Sequence, residues 1–286
     1  MSIDISVVVP VRDGASSLPP LLAALNSQAF ARDRFEVIVV DNASRDGSAR
    51  VAAEAGALVL HEPVPNRCLA RNRGVRAASG ELLAFIDADC VPDAGWLGAM
   101  WNCRGRAPLV AGPVRITTDA PPNAIERFEA LWRFAQEYWV REGWAVTANL
   151  CVRREAFDAI DGFDPAYRHY AEDADFCLRA GRADFPIGYC ADAVVSHYAE
   201  SRLRPMLRRA FFHGYGASQA LRRIGFGHHA YRHPAPIFHT KGALALMGID
   251  RNAIRADDRR AIGRLARMAY AARVAGSLWA TVRFVR

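Results

Sequence analysis

The stretch LLAFIDADC, Leu82 to Cys90, decides how this chain is read. Five apolar residues run directly into Asp87 and Asp89, two acids that flank one alanine. An apolar run of this length reads as a fully buried strand. In extended geometry residues two apart point the same way, so two carboxylates are expected to aim at one point where the strand ends. Like charges so placed are costly unless a cation sits between or beside them. Hard cations such as Mg²⁺ and Mn²⁺ prefer oxygen ligands, and Mg²⁺ often takes one or two carboxylates plus phosphate oxygens of a substrate. The competing reading is a loop whose acid caps the helix after Pro92.

Upstream of this stretch, strands and helices alternate. Ile5–Val11 and Phe35–Val40 are β-branched runs that read as buried strands, the second ending on Asp41. Between them Leu18, Leu21, Leu22 and Leu25 recur at helical spacing behind Ser16 or Ser17. A turn at Asn42–Gly47, a helix over about Ser48–Ala55, a short strand at Ala57–Leu60 and a basic helix over Cys68–Ala78 lead to Leu82. Such alternation with short links predicts an α/β fold with a mostly parallel sheet covered on both faces.

Downstream the pattern changes. A strand is expected over Leu109–Ile116, a long aromatic-rich helix over Pro121–Val140, and an extended segment over Ala145–Val152. A short helix at Arg153–Asp158, a helix from about Ala171, and short strands at Pro186–Tyr189 and Ala193–His197 follow. Beyond Ser201 the chain reads as helical, with a His/Pro/Gly loop near Gly225–Pro236.

Composition bounds the function. The chain has 286 residues, 51% of them hydrophobic, enough for a sizeable core and against disorder. The cysteines at 68, 90, 103, 151, 177 and 190 form no CxxC pair, which favours reduced thiols in a cytoplasmic protein over a disulfide framework or zinc site. The N-terminus enters a strand pattern almost at once, which leaves no room for a signal peptide, and no charge-free apolar run approaches the ~18 residues of a membrane span. Residues 1–200 carry 20 Arg against 27 Asp and Glu, whereas residues 201–286 carry 16 Arg and one Lys against 3 Asp. Such asymmetry marks either a solvated Arg-rich surface or a region that meets something anionic.

Other residues are chemical candidates. Asp41 closes a strand, where α/β sheets bind ligands, or it forms the turn. Arg67, Arg71 and Arg73, with Asn72 among them, are placed to neutralise Asp41, Asp87 and Asp89 or a diphosphate, or they form a solvated helix face. Glu172, Asp173 and Asp175 fall in a first helical turn; acids there favour the helix dipole, and one positioned near an acceptor hydroxyl serves as a general base. His197 ends a short strand, as a structural residue or a metal ligand. A Gly-x-Gly-x-x-Gly fingerprint, a Gly-Lys-Ser/Thr phosphate loop and a Gly-x-Ser-x-Gly elbow are all missing.

Taken in order, these segments resemble the family 2 glycosyltransferases, whose nucleotide-sugar fold is called GT-A. SVVVPVRD (Ser6–Asp13), VIVVDNASRDGS (Val37–Ser48), ARNRGVRAASGELLAFIDADC (Ala70–Cys90), TANLCVRREAFDAIDGFD (Thr147–Asp164) and AEDADFCLR (Ala171–Arg179) carry the likeness. The resemblance implies a GT-A nucleotide-diphospho-sugar transferase fold with a helical C-terminal extension. Residues 1–110 would form the nucleotide-sugar-binding half, 111–200 the acceptor half of the same domain, and 201–286 a basic helical region. It further implies Pro10, Asp13 and Asp41 in the nucleotide pocket, with Arg71 and Asn72 serving the same site. Asp87 would approach ribose or metal, and Asp89 would ligate Mg²⁺ or Mn²⁺ with His197 beside it. Asp173 would be the catalytic base and Glu172 would help place the acceptor. At the first loop the family usually has an aromatic and Asn where this chain has Arg12 and Asp13.

The expected reaction is inverting transfer of a sugar from a nucleotide sugar to a hydroxyl on a glycan, lipid-linked or other acceptor. The chain departs from the Gln-x-x-Arg-Trp pattern of processive synthases. The segment Ala261–Arg286, with Arg264 and Arg267 beside Ile262 and Leu265, suggests peripheral attachment to the anionic inner membrane face or a helix packed on the catalytic domain. The competing functional class is a non-enzymatic module that binds nucleic acid or a membrane surface through the basic region. Nucleic acid is not an expected partner, because no recognised binding motif is present. A nucleotidyltransferase-like enzyme lacks its usual Gly-rich, Lys-containing first loop.

Overall fold

A computed structural model describes residues 2–118, 121–132, 136–225 and 254–284. Its strands are β1 (Ile5–Val11), β2 (Phe35–Asp41), β3 (Leu58–His61), β4 (Leu82–Phe85), β5 (Cys90–Pro92), β6 (Leu109–Ala111), β7 (Val114–Thr117), β8 (Leu150–Arg153), β9 (Ile187–Tyr189) and β10 (Val195–Tyr198). Its helices are α1 (Leu18–Asn26), α2 (Ser48–Glu54), α3 (Arg67–Ala77), α4 (Trp96–Cys103), α5 (Ala124–Trp132), α6 (Gln136–Arg141), α7 (Arg154–Ala159), α8 (Glu172–Arg182), α9 (Leu203–Ile224) and α10 (Arg259–Phe284).

Seven strands form the main sheet in the order β3-β2-β1-β4-β8-β6-β9. β1 runs parallel to β2 and β4, with Val11 opposite Asp41 and Val8 opposite Phe85. β8 alone runs against its neighbours β4 and β6, so the sheet is mostly parallel. The chain builds outward from β1 through β2 to β3, then crosses back to lay β4 on the other side of β1. Such a reversal opens a crevice at the carboxyl ends of the strands, where ligands of open α/β sheets bind.

Strand alternation divides the burial between the two faces. Val7, Val9, Val37 and Val39 join Leu18, Leu21 and Leu25 of α1 in one apolar cluster. Ile38 and Val40, one position over, pack with Ala70 of α3. A fully buried leucine or valine side chain contributes about 1.5–3 kcal/mol, so both helices are held by the β-branched runs that the sequence displays.

One local expectation changes, and two others fall partly or almost wholly outside the described residues. The strand predicted over Leu109–Ile116 is two: β6 lies in the main sheet and β7 in a second sheet of order β5-β10-β7. The Pro113 carbonyl between them accepts the Val195 N–H and the Asn149 amide. The long helix over Pro121–Val140 is represented by α5 and α6, with 133–135 outside the described residues. The predicted loop near Gly225–Pro236 also lies outside them, apart from Gly225, which ends α9 with φ 72°.

The expectation of six reduced cysteines is corrected as well. Cys103 at the end of α4 and Cys190 just after β9 form a disulfide across 87 residues, a pairing made by the fold and invisible in spacing. Cys68, Cys90, Cys151 and Cys177 are buried and take no part in a disulfide. Burial pushes Cys68, Cys151 and Cys177 up from the ordinary thiol value, which keeps them protonated and unreactive.

The chain divides into two compact units, one of Met1–Arg115, Phe134–Arg168 and Glu172–His197, the other of Ile116–Arg133, His169–Ala171 and Tyr198–Arg286. The first contains the main sheet. In the second, Phe128, Met206, Ile262, Leu265 and Ala266 form the core. There α9 and α10 approach backbone to backbone. A Cβ on Gly214 would lie 1.8 Å from the Arg273 carbonyl oxygen, and one on Gly276 would lie 1.9 Å from that of Phe211.

Candidate active site

The carboxyl ends of β1, β2 and β4 carry the first group of predicted residues. Pro10 sits in β1 opposite Val40, partly buried. Asp13, in the loop that follows, has φ 52°, a left-handed conformation that Asp tolerates better than most residues. This loop is lashed to the turn after β2. Asp13 N–H donates to Ser44 Oγ (3.0 Å), Gly14 N–H to Ser48 Oγ (2.9 Å) and Ala15 N–H to Asp46 Oδ2 (3.0 Å), while Asp13 Oδ1 accepts from Arg45 N–H (2.7 Å). The Ser48 hydroxyl, then the Ala15 N–H, hold the Asp46 carboxyl below its usual range. Asp41 is buried; its Oδ1 accepts the Ser44 N–H at 3.0 Å and its Oδ2 lies 3.4 Å from His61 Nδ1. It forms its own turn and lines the crevice edge at the same time.

The second group meets at one arginine. Asn66 caps α3 by accepting from the N–H groups of Cys68 and Leu69, and Arg67 and Arg71 then share a helix face as an i, i+4 pair. Arg71 is 2% exposed. Its guanidinium donates to Asp87 Oδ1 and to Glu172 Oε1, both at 3.1 Å, and Arg67 reaches the same Glu172 oxygen at 3.4 Å. One buried cation thus ties the end of β4 to the start of α8. Arg71 Nε and Glu172 Oε2 are buried without hydrogen-bond partners. Asp173, partly buried, accepts the Ala174 N–H through Oδ1 at 2.9 Å. Burial first and the Glu172 charge second push its carboxyl up to about 7, with Arg71 pulling the other way.

Asn72 points elsewhere. Its amide clamps the Phe163 backbone, donating to the carbonyl (2.8 Å) and accepting the N–H (2.9 Å). The turn it holds needs Gly162, at φ 66°, where a Cβ would fall 2.8 Å from Asn72 Oδ1 and 2.7 Å from the Phe157 ring. Phe163 in turn stacks on Phe176 of α8 at 4.3 Å and lies under the Arg71 guanidinium at 5.4 Å. Asn72 therefore fixes the floor on which the Arg71 junction rests.

The third group corrects the geometry expected of Asp87 and Asp89. β4 stops at Phe85, and the Cys90 N–H closes a turn on the Asp87 carbonyl at 3.1 Å. The two acids are therefore not on one extended face, and each finds its own partner. Asp87 takes Arg71. Asp89 takes His197, whose Nε2 lies 3.2 Å from Asp89 Oδ2. The antiparallel register of β5 and β10, with His197 opposite Cys90, makes that meeting. The His197 side chain is 6% exposed and that of Asp89 52%, so the pair has one closed and one open side.

Asp89, Cys90 and His197 each offer a ligand atom within 4.8 Å of the others. The donor set fits a hard cation through its carboxylate and imidazole; the thiol is the softer, poorer ligand for Mg²⁺ or Mn²⁺. Two ligands in neighbouring octahedral positions at about 2.1 Å from an ion lie about 3 Å apart, close to the separation seen here. Cys90 beside Asp89 and His61 beside Asp41 were not singled out by sequence. Strand register brings each of them in.

Comparison with known proteins bears on this arrangement. Residues 6–163 match the model of Glycosyl transferase family 2, and residues 86–281 that of Glycosyl transferase family group 2. Glycosyltransferase AglE of Haloferax volcanii is 28% identical over 224 residues, 75% of this chain and 73% of that protein. The pre-mycofactocin glycosyltransferase of Mycobacterium tuberculosis is 31% identical over 259 residues, 84% of this chain; the chain spans 51% of that relative. The solved mannosyltransferase PcManGT from Pyrobaculum calidifontis, in complex with GDP-Man and Mn²⁺, shares the fold with a TM-score of 0.67 at 19% identity, over 98% of this chain and 88% of that one.

Proposed function

Because the chain belongs to glycosyl transferase family 2, we propose that it moves a sugar from a nucleotide-diphosphate donor to an acceptor hydroxyl with inversion, using Asp173 as base. The observation that carries this reading is the Arg71 junction, because it joins the donor side, through Asp87, to the acid pair of α8. Pro10, Asp13 and Asp41 border the nucleotide. Arg71 and Asp87 face its ribose and diphosphate, and Asn72 acts by fixing the turn beneath them. Glu172 orients the acceptor while its own charge keeps Asp173 proton-hungry.

In the reaction Asp173 takes the proton of the acceptor hydroxyl as that oxygen forms its bond to the anomeric carbon. The bond from that carbon to the diphosphate breaks, and its electron pair leaves with the nucleotide diphosphate. Attack comes from the face opposite the leaving group, so configuration inverts. Asp89 and His197 are the residues that would hold Mg²⁺ or Mn²⁺, an ion that supplies positive charge for the departing diphosphate when bound. Likeness of fold to a mannosyltransferase solved in complex with GDP-Man and Mn²⁺ supports that part of the reading.

No helix among the described residues is long and apolar enough to cross a membrane. Leu278 and Val282 of α10 are 63% and 64% exposed in an arginine-rich helix, which suits a peripheral encounter with an anionic lipid surface. Calorimetric titration of a nucleotide sugar with and without Mn²⁺ tests the ion assignment. Asp89→Asn and His197→Ala should each weaken the Mn²⁺-dependent binding about tenfold or more. Unchanged affinity in both variants rejects them as ligands.

A further inference from the structure

A second concave site lies in the same unit, away from the junction just described. A groove of about 370 Å³ is lined by Val114 of β7, Gln136, Glu137, Tyr138 and Arg141 of α6, and Tyr189 at the end of β9. Its floor is rigid. Gln136 is 2% exposed; its Oε1 accepts the Val146 N–H at 2.9 Å and its Nε2 donates to the Asn149 carbonyl at 3.3 Å. The turn after α6 is braced by Trp139 stacked on Trp144 at 4.7 Å.

The chemistry of the walls selects a class of ligand. Tyr138 is 61% exposed, a flat ring left facing water with its hydroxyl at the far end. Arg141 and Glu137 pair at 2.6 Å on the exposed helix surface, so the groove offers both donors and carboxylate oxygens with no net charge. Burial, then the Glu137 carboxylate, pushes the Tyr189 phenol up, which keeps it an O–H donor. An anion such as a diphosphate needs uncompensated positive charge, and an alkyl chain needs walls without polar groups. Apolar ring faces edged by hydrogen-bonding groups suit a neutral, many-hydroxyl ring.

The register of the sheet fixes where this groove lies. Phe85 is opposite Leu150, Leu150 is opposite Ala111, and Ala111 is opposite Tyr189. Tyr189 therefore stands in the same row as the last residue of β4, three strand spacings or about 14 Å away. β9 and β4 point the same way, so both end on one edge of the sheet.

We infer that this groove is a distal saccharide subsite, holding a sugar ring of an oligosaccharide acceptor whose reactive end lies at Asp173. The inference rests on the reading of that edge as the acceptor side. It makes the acceptor a short glycan, because the groove lies about 14 Å across the sheet from the end of β4, further than one sugar ring reaches.

The test is retention of the full chain on an array of mono-, di-, tri- and tetrasaccharides, with Tyr138→Ala and Arg141→Ala compared with the parent and with Asp173→Asn. The parent should hold at least one tri- or tetrasaccharide more tightly than its monosaccharide. Tyr138→Ala should weaken that retention roughly tenfold by losing one ring contact, with an unchanged melting temperature, and Asp173→Asn should keep it. Equal retention by the parent and both groove variants overturns the subsite, as does a parent that retains no oligosaccharide. Loss confined to Asp173→Asn assigns binding to the catalytic centre and overturns the subsite too. Normal sugar transfer by Asp173→Asn, with retention lost in Tyr138→Ala, sinks the base assignment and leaves the groove standing.

Discussion

Replacing Arg71 by Met removes the charge that joins Asp87 to Glu172 while keeping most of the stem volume. Breaking a buried ion pair by deleting one partner costs about 3–5 kcal/mol. The Asp87 side chain is 36% exposed and regains water, so its share is small. The Glu172 side chain is 3% exposed and bears most of the loss, softened by Arg67 at 3.4 Å. The low end, about 3 kcal/mol, follows. At about 2–4 °C per kcal/mol for chains of this order, the melting temperature should fall by about 6–12 °C.

The same change has a kinetic signature. Asp173 is held up at about 7 by burial and Glu172, and Arg71 opposes that rise. Without Arg71 the carboxyl moves further up. A base works only when deprotonated, so the acid limb of the kcat/KM profile should shift to higher pH in Arg71→Met and stay near the parent position in Arg71→Lys. The sign for stability is the reverse of the usual carboxylate. Between the ordinary value of 3.8 and about 7 the folded chain keeps a proton that the unfolded chain releases. The contribution of Asp173 is therefore full below the ordinary value and is lost as pH rises through the folded one. Calorimetry and a pH–rate series on the three proteins decide. An Arg71→Met variant that melts within about 1 °C of the parent, with its acid limb unmoved, refutes the junction.

Two further perturbations probe the support around it. Asn72→Ala deletes two hydrogen bonds to the Phe163 backbone, each worth about 0.5–1.5 kcal/mol; a urea midpoint unchanged from the parent would show that the clamp carries no stability. Cys103→Ser opens a link across 87 residues and should cost up to about 4 kcal/mol. Reductant should lower the parent to the stability of the variant and leave the variant unmoved, and a parent insensitive to reductant contradicts the bond.

Much of this architecture was legible in local pattern. β-branched runs alternating with Leu-spaced helices gave the parallel strands, and the acids after Phe85 marked the edge where the crevice opens. The orientation of those acids was not legible, because the strand ends at Phe85, one residue short of the apolar run, and a turn separates their partners. Nor was the Arg71–Glu172 contact, which spans 101 residues, or the meeting of Asp89 with His197, set by antiparallel register between short strands. The aromatic-rich pattern of Pro121–Val140 does not show which rings are covered: Phe128 is fully buried, whereas Tyr138 faces solvent. Local sequence carries periodicity; it does not carry which distant element supplies the neighbour.

The central claim is that the carboxylate of Asp173 does the proton transfer at a donor site it does not itself build. Single-turnover sugar transfer by Asp173→Asn, with nucleotide affinity titrated on the same preparation, tests it most directly. The account predicts transfer slowed about 10²–10⁴-fold with nucleotide affinity unchanged. Transfer at the parent rate, or nucleotide binding lost together with transfer, contradicts it.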